Sequence, residues 1–241
     1  MSSRRRVLYL IHNPAWTDCR IADVLCARDY EIEYLCHPHG DPLPASIDGY
    51  AAMIVGGSDE GHAGEPGAHP WVAREIDFIR DAVEAGMPYL GICMGSQLLA
   101  AAFGGKVMAR PDGLTELGFY QIEATPDGVD LFAGTSHFYQ AHYEGVFALP
   151  DEATLLARGH QFPVQAFRIG RHAYGLQFHP DYKLSSVTHE ALADEPYLAR
   201  MGVQSAHEQV RLAPVYEASI QRWSERFVEG WVGLATTSAA A

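Results

Sequence analysis

The chain has 241 residues, 48% of them hydrophobic and 20% charged, enough to bury one sizeable α/β core without disulfides. Thirty acidic residues against 17 basic ones give a formal net charge of −13, which argues against a nucleic-acid or anionic-membrane partner. No run of roughly 18 apolar residues occurs, the first residues lack a signal-peptide core, and Cys19, Cys26, Cys36 and Cys93 have no metal-ligand spacing. Reduced thiols in a cytoplasmic protein, with neither metal nor cofactor, are the expectation.

Arg4-Arg5-Arg6 reads as a solvated end before a first strand over 6–12. A helix over 15–29 follows, with Ile21, Val24 and Leu25 on one face, then strands over 30–36 and 51–56. His37-Pro38-His39 reads as a surface turn. The third strand ends in Gly56-Gly57-Ser58. Two glycines at a strand end can present backbone N–H groups at close range, as acyl transfer from a thiol requires, although a plain turn would use the same residues. Residues 59–67, rich in glycine, form a loop over this end, and His62 within it reads as solvated. Pro70, then Trp71, Val72, Ile76, Ile79 and Val83, give a helix that Gly86 and Pro88 end.

Met87 to Leu90 is a short apolar run leading into Gly91-Ile92-Cys93-Met94-Gly95, and helical spacing resumes at Ser96-Gln97-Leu98-Leu99. This is the layout of a nucleophile elbow, a sharp strand-to-helix turn that holds one side chain in a strained conformation. Glycines two residues to either side avoid a Cβ clash in so tight a turn. The helix N-terminus directs partial positive charge at the Cys93 sulfur. The natural donors for an oxyanion are the N–H of Gly57 and that of Met94.

Between Leu117 and Gln177 the pattern is short strands with turns at Pro126-Asp127-Gly128, Pro150-Asp151 and Arg158-Gly159. A strand over 173–178 then delivers His179-Pro180-Asp181 at its carboxyl end, where the ligands of open α/β sheets collect. Asp181 is placed to reach the far ring nitrogen of His179, so that Cys93, His179 and Asp181 form a Cys-His-acid arrangement. Ser205-x-x-Glu208 has capping-box spacing for a last helix. Ile220, Trp223, Phe227 and Trp231 lie on one face of it, suited to packing on the same domain or to a partner or homodimer surface. Alternating β and α units followed by a β-rich part predict a mainly parallel sheet with added antiparallel strands.

The oxyanion loop, the elbow and the Gln177-Phe178-His179-Pro180 segment, in this order, resemble the class I glutamine amidotransferase family. Leu114 to Gly118, Tyr139 to Glu144 and Gln165 to Arg168 extend the resemblance over roughly residues 50 to 182. It is nearest to stand-alone proteins similar to the glutaminase domain of GMP synthase. The resemblance implies a flavodoxin-like three-layer fold, a domain over 1–185 and a C-terminal helical extension over 186–241. It also implies substrate contacts from Ser58, His142, Tyr143 and Glu144, with Glu116 nearby, and Gln97, facing the elbow from the first helical turn, is open between substrate contact and helix packing. Three departures stand out: Asp181 replaces the family's usual Glu, Ser96 is atypical, and His142-Tyr143-Glu144 replaces a His-Gly-Asp-like pattern.

The expected activity is cleavage of the side-chain amide of glutamine, or of a related γ-glutamyl amide, through a γ-glutamyl thioester on Cys93. Glu144 would pair with the α-ammonium group, and the leaving side would face the 59–67 loop. An ammonia-using synthase would have to be a separate chain. The alternative is a non-catalytic or regulatory relative that binds a glutamine-like ligand.

Overall fold

The computed structural model describes residues 4–192 and 200–238. In chain order its elements are β1 (Arg5–Leu10), α1 (Arg20–Cys26), β2 (Tyr30–Leu35), β3 (Tyr50–Val55), α2 (Pro70–Glu84), β4 (Tyr89–Ile92), α3 (Met94–Ala102), β5 (Lys106–Ala109), β6 (Glu116–Ala124), β7 (His137–His142), β8 (Glu144–Ala148), β9 (Ala153–Gly159), β10 (Ala166–Ile169), β11 (Ala173–Leu176), α4 (Leu184–Leu192) and α5 (Ala206–Ser238). Nine strands form one sheet in the order β2-β1-β3-β4-β11-β10-β9-β6-β7. The first five run parallel, and the rest continue antiparallel from β11. The expected parallel sheet with antiparallel additions is therefore the architecture found. A small β5–β8 pair stands apart from it.

The parallel strands are apolar on both faces because helices cover both. In β1, Val7 and Tyr9 enter one core with α1 and α5, while Leu8 and Leu10 enter the other with α2 and α3. β3 divides the same way, Ala52 and Ile54 against Met53 and Val55. Three layers follow from this alternation. Helix α1 begins five residues later than its apolar spacing predicts, because Cys19 caps it, its Sγ accepting from Ala22 N at 3.5 Å. Residues 14–17 before it are turns.

Ser205 Oγ accepts from Glu208 N at 3.2 Å, starting α5 where the capping spacing placed it. Ile220, Trp223, Phe227 and Trp231 are all buried in the same core as β1 and β3. Trp223 Nε1 donates to Leu131 O at 2.9 Å, and Trp231 Nε1 to His172 O at 3.2 Å. This stripe is covered by its own chain, so it offers no free face to a second copy. Among the described residues no helix is long and apolar enough to cross a membrane.

Candidate active site

The carboxyl ends of β3, β4 and β11 lie side by side, with Val55 opposite Gly91 and Leu176 opposite Ile92. Cys93 follows β4 directly and adopts φ 52°, ψ −109°, a conformation that a non-glycine residue holds only under strain. The flanking glycines are sterically required. A Cβ at Gly91 would overlap the Gly95 backbone, and one at Gly95 would overlap Val55 O. Cys93 N donates to Leu176 O at 2.8 Å, which fastens the elbow to β11.

His179 stands three residues beyond β11, its N–H bonded to Tyr139 O at 2.8 Å. Its imidazole stands across Gly57 from Cys93, and its Nδ1 lies 3.1 Å from Asp181 Oδ1. Burial opposes charging this imidazole, yet the Asp181 carboxylate and Cys93 outweigh it and raise the pKa to about 10. The shorter acid reaches because its loop is drawn in. Arg20 N donates to Asp181 O at 2.8 Å, while the buried Arg20 guanidinium donates to Pro180 O at 3.2 Å and Tyr182 O at 2.6 Å. Glu217 and Gln221 of α5 hold the same guanidinium from the far side, at 2.8 and 2.7 Å.

Gly57 fits between the two side chains. A Cβ there would sit 3.1 Å from His179 Cε1 and 3.6 Å from Cys93 Cβ. Both carbonyls of this turn are engaged. Gly56 O accepts from Gly95 N at 3.1 Å, and Gly57 O accepts from His12 Nδ1 at 2.7 Å. As the first residue of α3, Met94 has no intrahelical acceptor for its N–H.

A cleft of about 690 Å³ opens over Cys93, within the size range of ligand pockets. Ser58, His142 and Tyr143 line it with Gly57, His179 and Asp181. Ser58 Oγ is also used within its own turn, donating to Glu60 O. His142 is committed to the protein: Nδ1 lies 2.8 Å from Glu144 O, and Nε2 lies 3.0 Å from Glu116 Oε2. Gln97 and Glu144 stand behind the wall rather than in it. The Gln97 amide donates to Glu144 O at 3.0 Å and to Gln177 Oε1 at 3.2 Å, and the Glu144 carboxylate turns to His62 Nδ1 at 3.2 Å. His62 also meets Tyr143 Oη at 3.2 Å, so this loop histidine, still 36% exposed at its side chain, closes the loop on Tyr143.

Four further residues surround the site without being marked as site residues by the sequence. His12 and Glu75, both fully buried, form an ion pair at 3.0 Å behind Gly57. His37 joins Glu75 at 3.2 Å, so one histidine of the expected surface turn faces inward. Thr115 lines the cleft with a buried Oγ1 that has no protein partner. His37 and Thr115 lie in segments the sequence singles out, the 37–39 turn and the 114–118 stretch, whereas nothing in the sequence marks His12 or Glu75. Among the described residues no three His, Cys, Asp or Glu side chains group as a metal site.

The family described as glutamine amidotransferase class-I matches residues 21–197, and the chain belongs to that family. A GMP synthase (glutamine-hydrolyzing) of Aeropyrum pernix is 35% identical over 157 residues, 64% of this chain and 30% of that protein. Gamma-glutamyl peptidase 5 of Arabidopsis thaliana is 28% identical over 148 residues, 58% of this chain and 57% of that protein. The chain thus spans under two thirds of either relative. A glutamine amidotransferase structure from Thermotoga maritima shares the fold, with TM-score 0.82 at 24% identity over 95% of this chain and 98% of that one.

Proposed function

We propose that this member of the class I glutamine amidotransferase family hydrolyses a γ-glutamyl amide, glutamine being the simplest, through a thioester on Cys93. The observation that carries the reading is Gly57 wedged between Cys93 and His179, with Asp181 on the far ring nitrogen. A thiol, a base, an acid that orients the base and a close-approaching backbone turn are the parts acyl transfer needs.

His179 holds its proton at neutral pH, since its pKa is raised to about 10. The Cys93 sulfur adds to the amide carbon, and the N–H groups of Gly57 and Met94 receive the charge that develops on oxygen. The C–N bond breaks as His179 gives its proton to the departing nitrogen. Water, deprotonated by His179, then cleaves the thioester and restores the starting pair. The unpaired Thr115 hydroxyl and the Tyr143 ring are placed to receive the glutamyl end. Glu144, the expected partner of the α-ammonium group, faces His62 and lies outside the cleft lining.

A second reading follows from the Aeropyrum relative, of which this chain matches 30%. The released ammonia would then pass to a synthase on a separate chain. Free glutamate measured from glutamine and from γ-glutamyl ethylamide, with no other protein present, tests both. Release from either supports hydrolysis by this chain alone, and release only on addition of a synthase supports the second reading.

A further inference from the structure

Two banks enclose the Cys93 thiol. One is the β6–β7 edge, where Leu117 pairs with Ala141 and Cys93 Sγ lies 3.7 Å from Ala141 O. Thr115 stands on this bank. The other bank is built around His179. Tyr182 packs against the imidazole with ring centroids 4.3 Å apart. The Arg20 N to Asp181 O bond ties the 13–19 turn to it, and Trp16, Ser185 and Ser186 continue the wall.

We infer that the second bank is a leaving-group subsite for an amine with an apolar, aromatic body, so that the substrate is a γ-glutamyl amide of such an amine. The inference rests on the hydrolase reading above. A general acid must lie within hydrogen-bond reach of the nitrogen it protonates. Any substituent on that nitrogen therefore projects over His179 and its neighbours rather than toward the 59–67 loop expected from the sequence, which His62 closes on Tyr143, and ammonia would leave the bank empty. Trp16 lines the cleft and is 37% exposed, so its indole is open to a ligand there. The Tyr182 ring is already stacked on Tyr139 and set against His179, so the Trp16 indole is the aromatic surface on which a flat apolar group stacks.

Asp18 is held by Lys183 and by Ser185 Oγ at 3.3 Å, and Asp181 by His179. The reaction balances without a co-reactant other than water. The amide C–N bond is exchanged for C–S, the His179 proton leaves on the amine, and water converts the thioester to glutamate and the free thiolate.

The test compares kcat/KM for glutamine, γ-glutamyl benzylamide and a γ-glutamyl diamine in the wild type, Trp16→Ala and Trp16→Phe. The expected result is a benzylamide-to-glutamine ratio of roughly ten or more, falling toward one in Trp16→Ala and recovering in Trp16→Phe. A merely structural role for Trp16 would lower both substrates together, leave the ratio fixed and overturn the subsite. Preference for the diamine overturns the aromatic class. Cleavage of glutamine alone overturns the inference while the hydrolase reading stands. Cleavage of none of the three overturns both.

Discussion

His12 donates through Nδ1 to the carbonyl oxygen of Gly57 at 2.7 Å, and its Nε2 faces the Glu75 carboxylate at 3.0 Å. Both partners are acceptors, so the imidazole serves them best with both nitrogens protonated. Burial opposes this charge, yet Glu75 and Gly57 together raise the His12 pKa, while His12 and His37 hold Glu75 low against its own burial. The turn that approaches Cys93 is therefore fixed from behind by a buried ion pair.

Glu75→Gln removes the charge and keeps the shape. It is expected to lower kcat about tenfold or more with a smaller change in KM, since the Gly57 turn acts on the transition state. His12 contributes stability that is full below its unfolded value of 6.5 and is lost as pH rises through its higher folded value. Glu75 contributes above its unfolded value of 4.5 and loses it as pH falls through a lower one. Urea unfolding of the variant against wild type should thus show its largest deficit between these two values, narrowing toward alkaline pH. A deficit independent of pH would show that the pair is not ionised.

Asp181→Asn addresses the orienting acid. Asp181 is the largest of the influences that raise the His179 pKa to about 10, so its removal should move the alkaline limb of the kcat/KM profile to lower pH. The same logic makes the His179 contribution to stability full below 6.5 and lost as pH rises through about 10. Asp181→Asn should cost less activity than His179→Ala, because Arg20 still holds the 180–182 loop. Equal losses, or an unmoved alkaline limb, would count against this role.

Trp223→Ala tests whether α5 belongs to the domain that carries the site. Its indole is fully buried and stacks on Phe132, ring centroids 5.9 Å apart, and on Phe227 at 4.9 Å. Loss of about 3–5 kcal/mol in a single unfolding transition is expected. A transition unchanged by the substitution would mean that α5 is dispensable to the core.

Local rules made much of this legible. The strand-turn-helix at Cys93 needs glycine at Gly91 and Gly95 for steric reasons, and that requirement shows in the letters themselves. The apolar stripe of α5 and its Ser205 cap are equally local. What stayed hidden is assembled across long separations. His12 and Glu75 are 63 residues apart, and Arg20 and Glu217 are 197 apart. Neither pair has periodicity or spacing to announce it. Gln97 is readable from the first turn of the helix after the elbow and Glu144 only by resemblance, and packing turns both side chains inward. The 59–67 loop looked open because glycine permits many paths, whereas His62 closes it on Tyr143.

The central claim is that Cys93 alone forms the covalent intermediate. Cys19 is buried and its thiol is pushed up to about 12, burial also raises the pKa of Cys36, and Cys26, though exposed, lies at the end of α1. The direct measurement is intact-protein and peptide mass spectrometry after reaction with a glutamine-analogue electrophile. A single adduct on Cys93, absent with loss of turnover in Cys93→Ser, is the predicted result. An adduct on Cys26, or one that persists in Cys93→Ser, would contradict it.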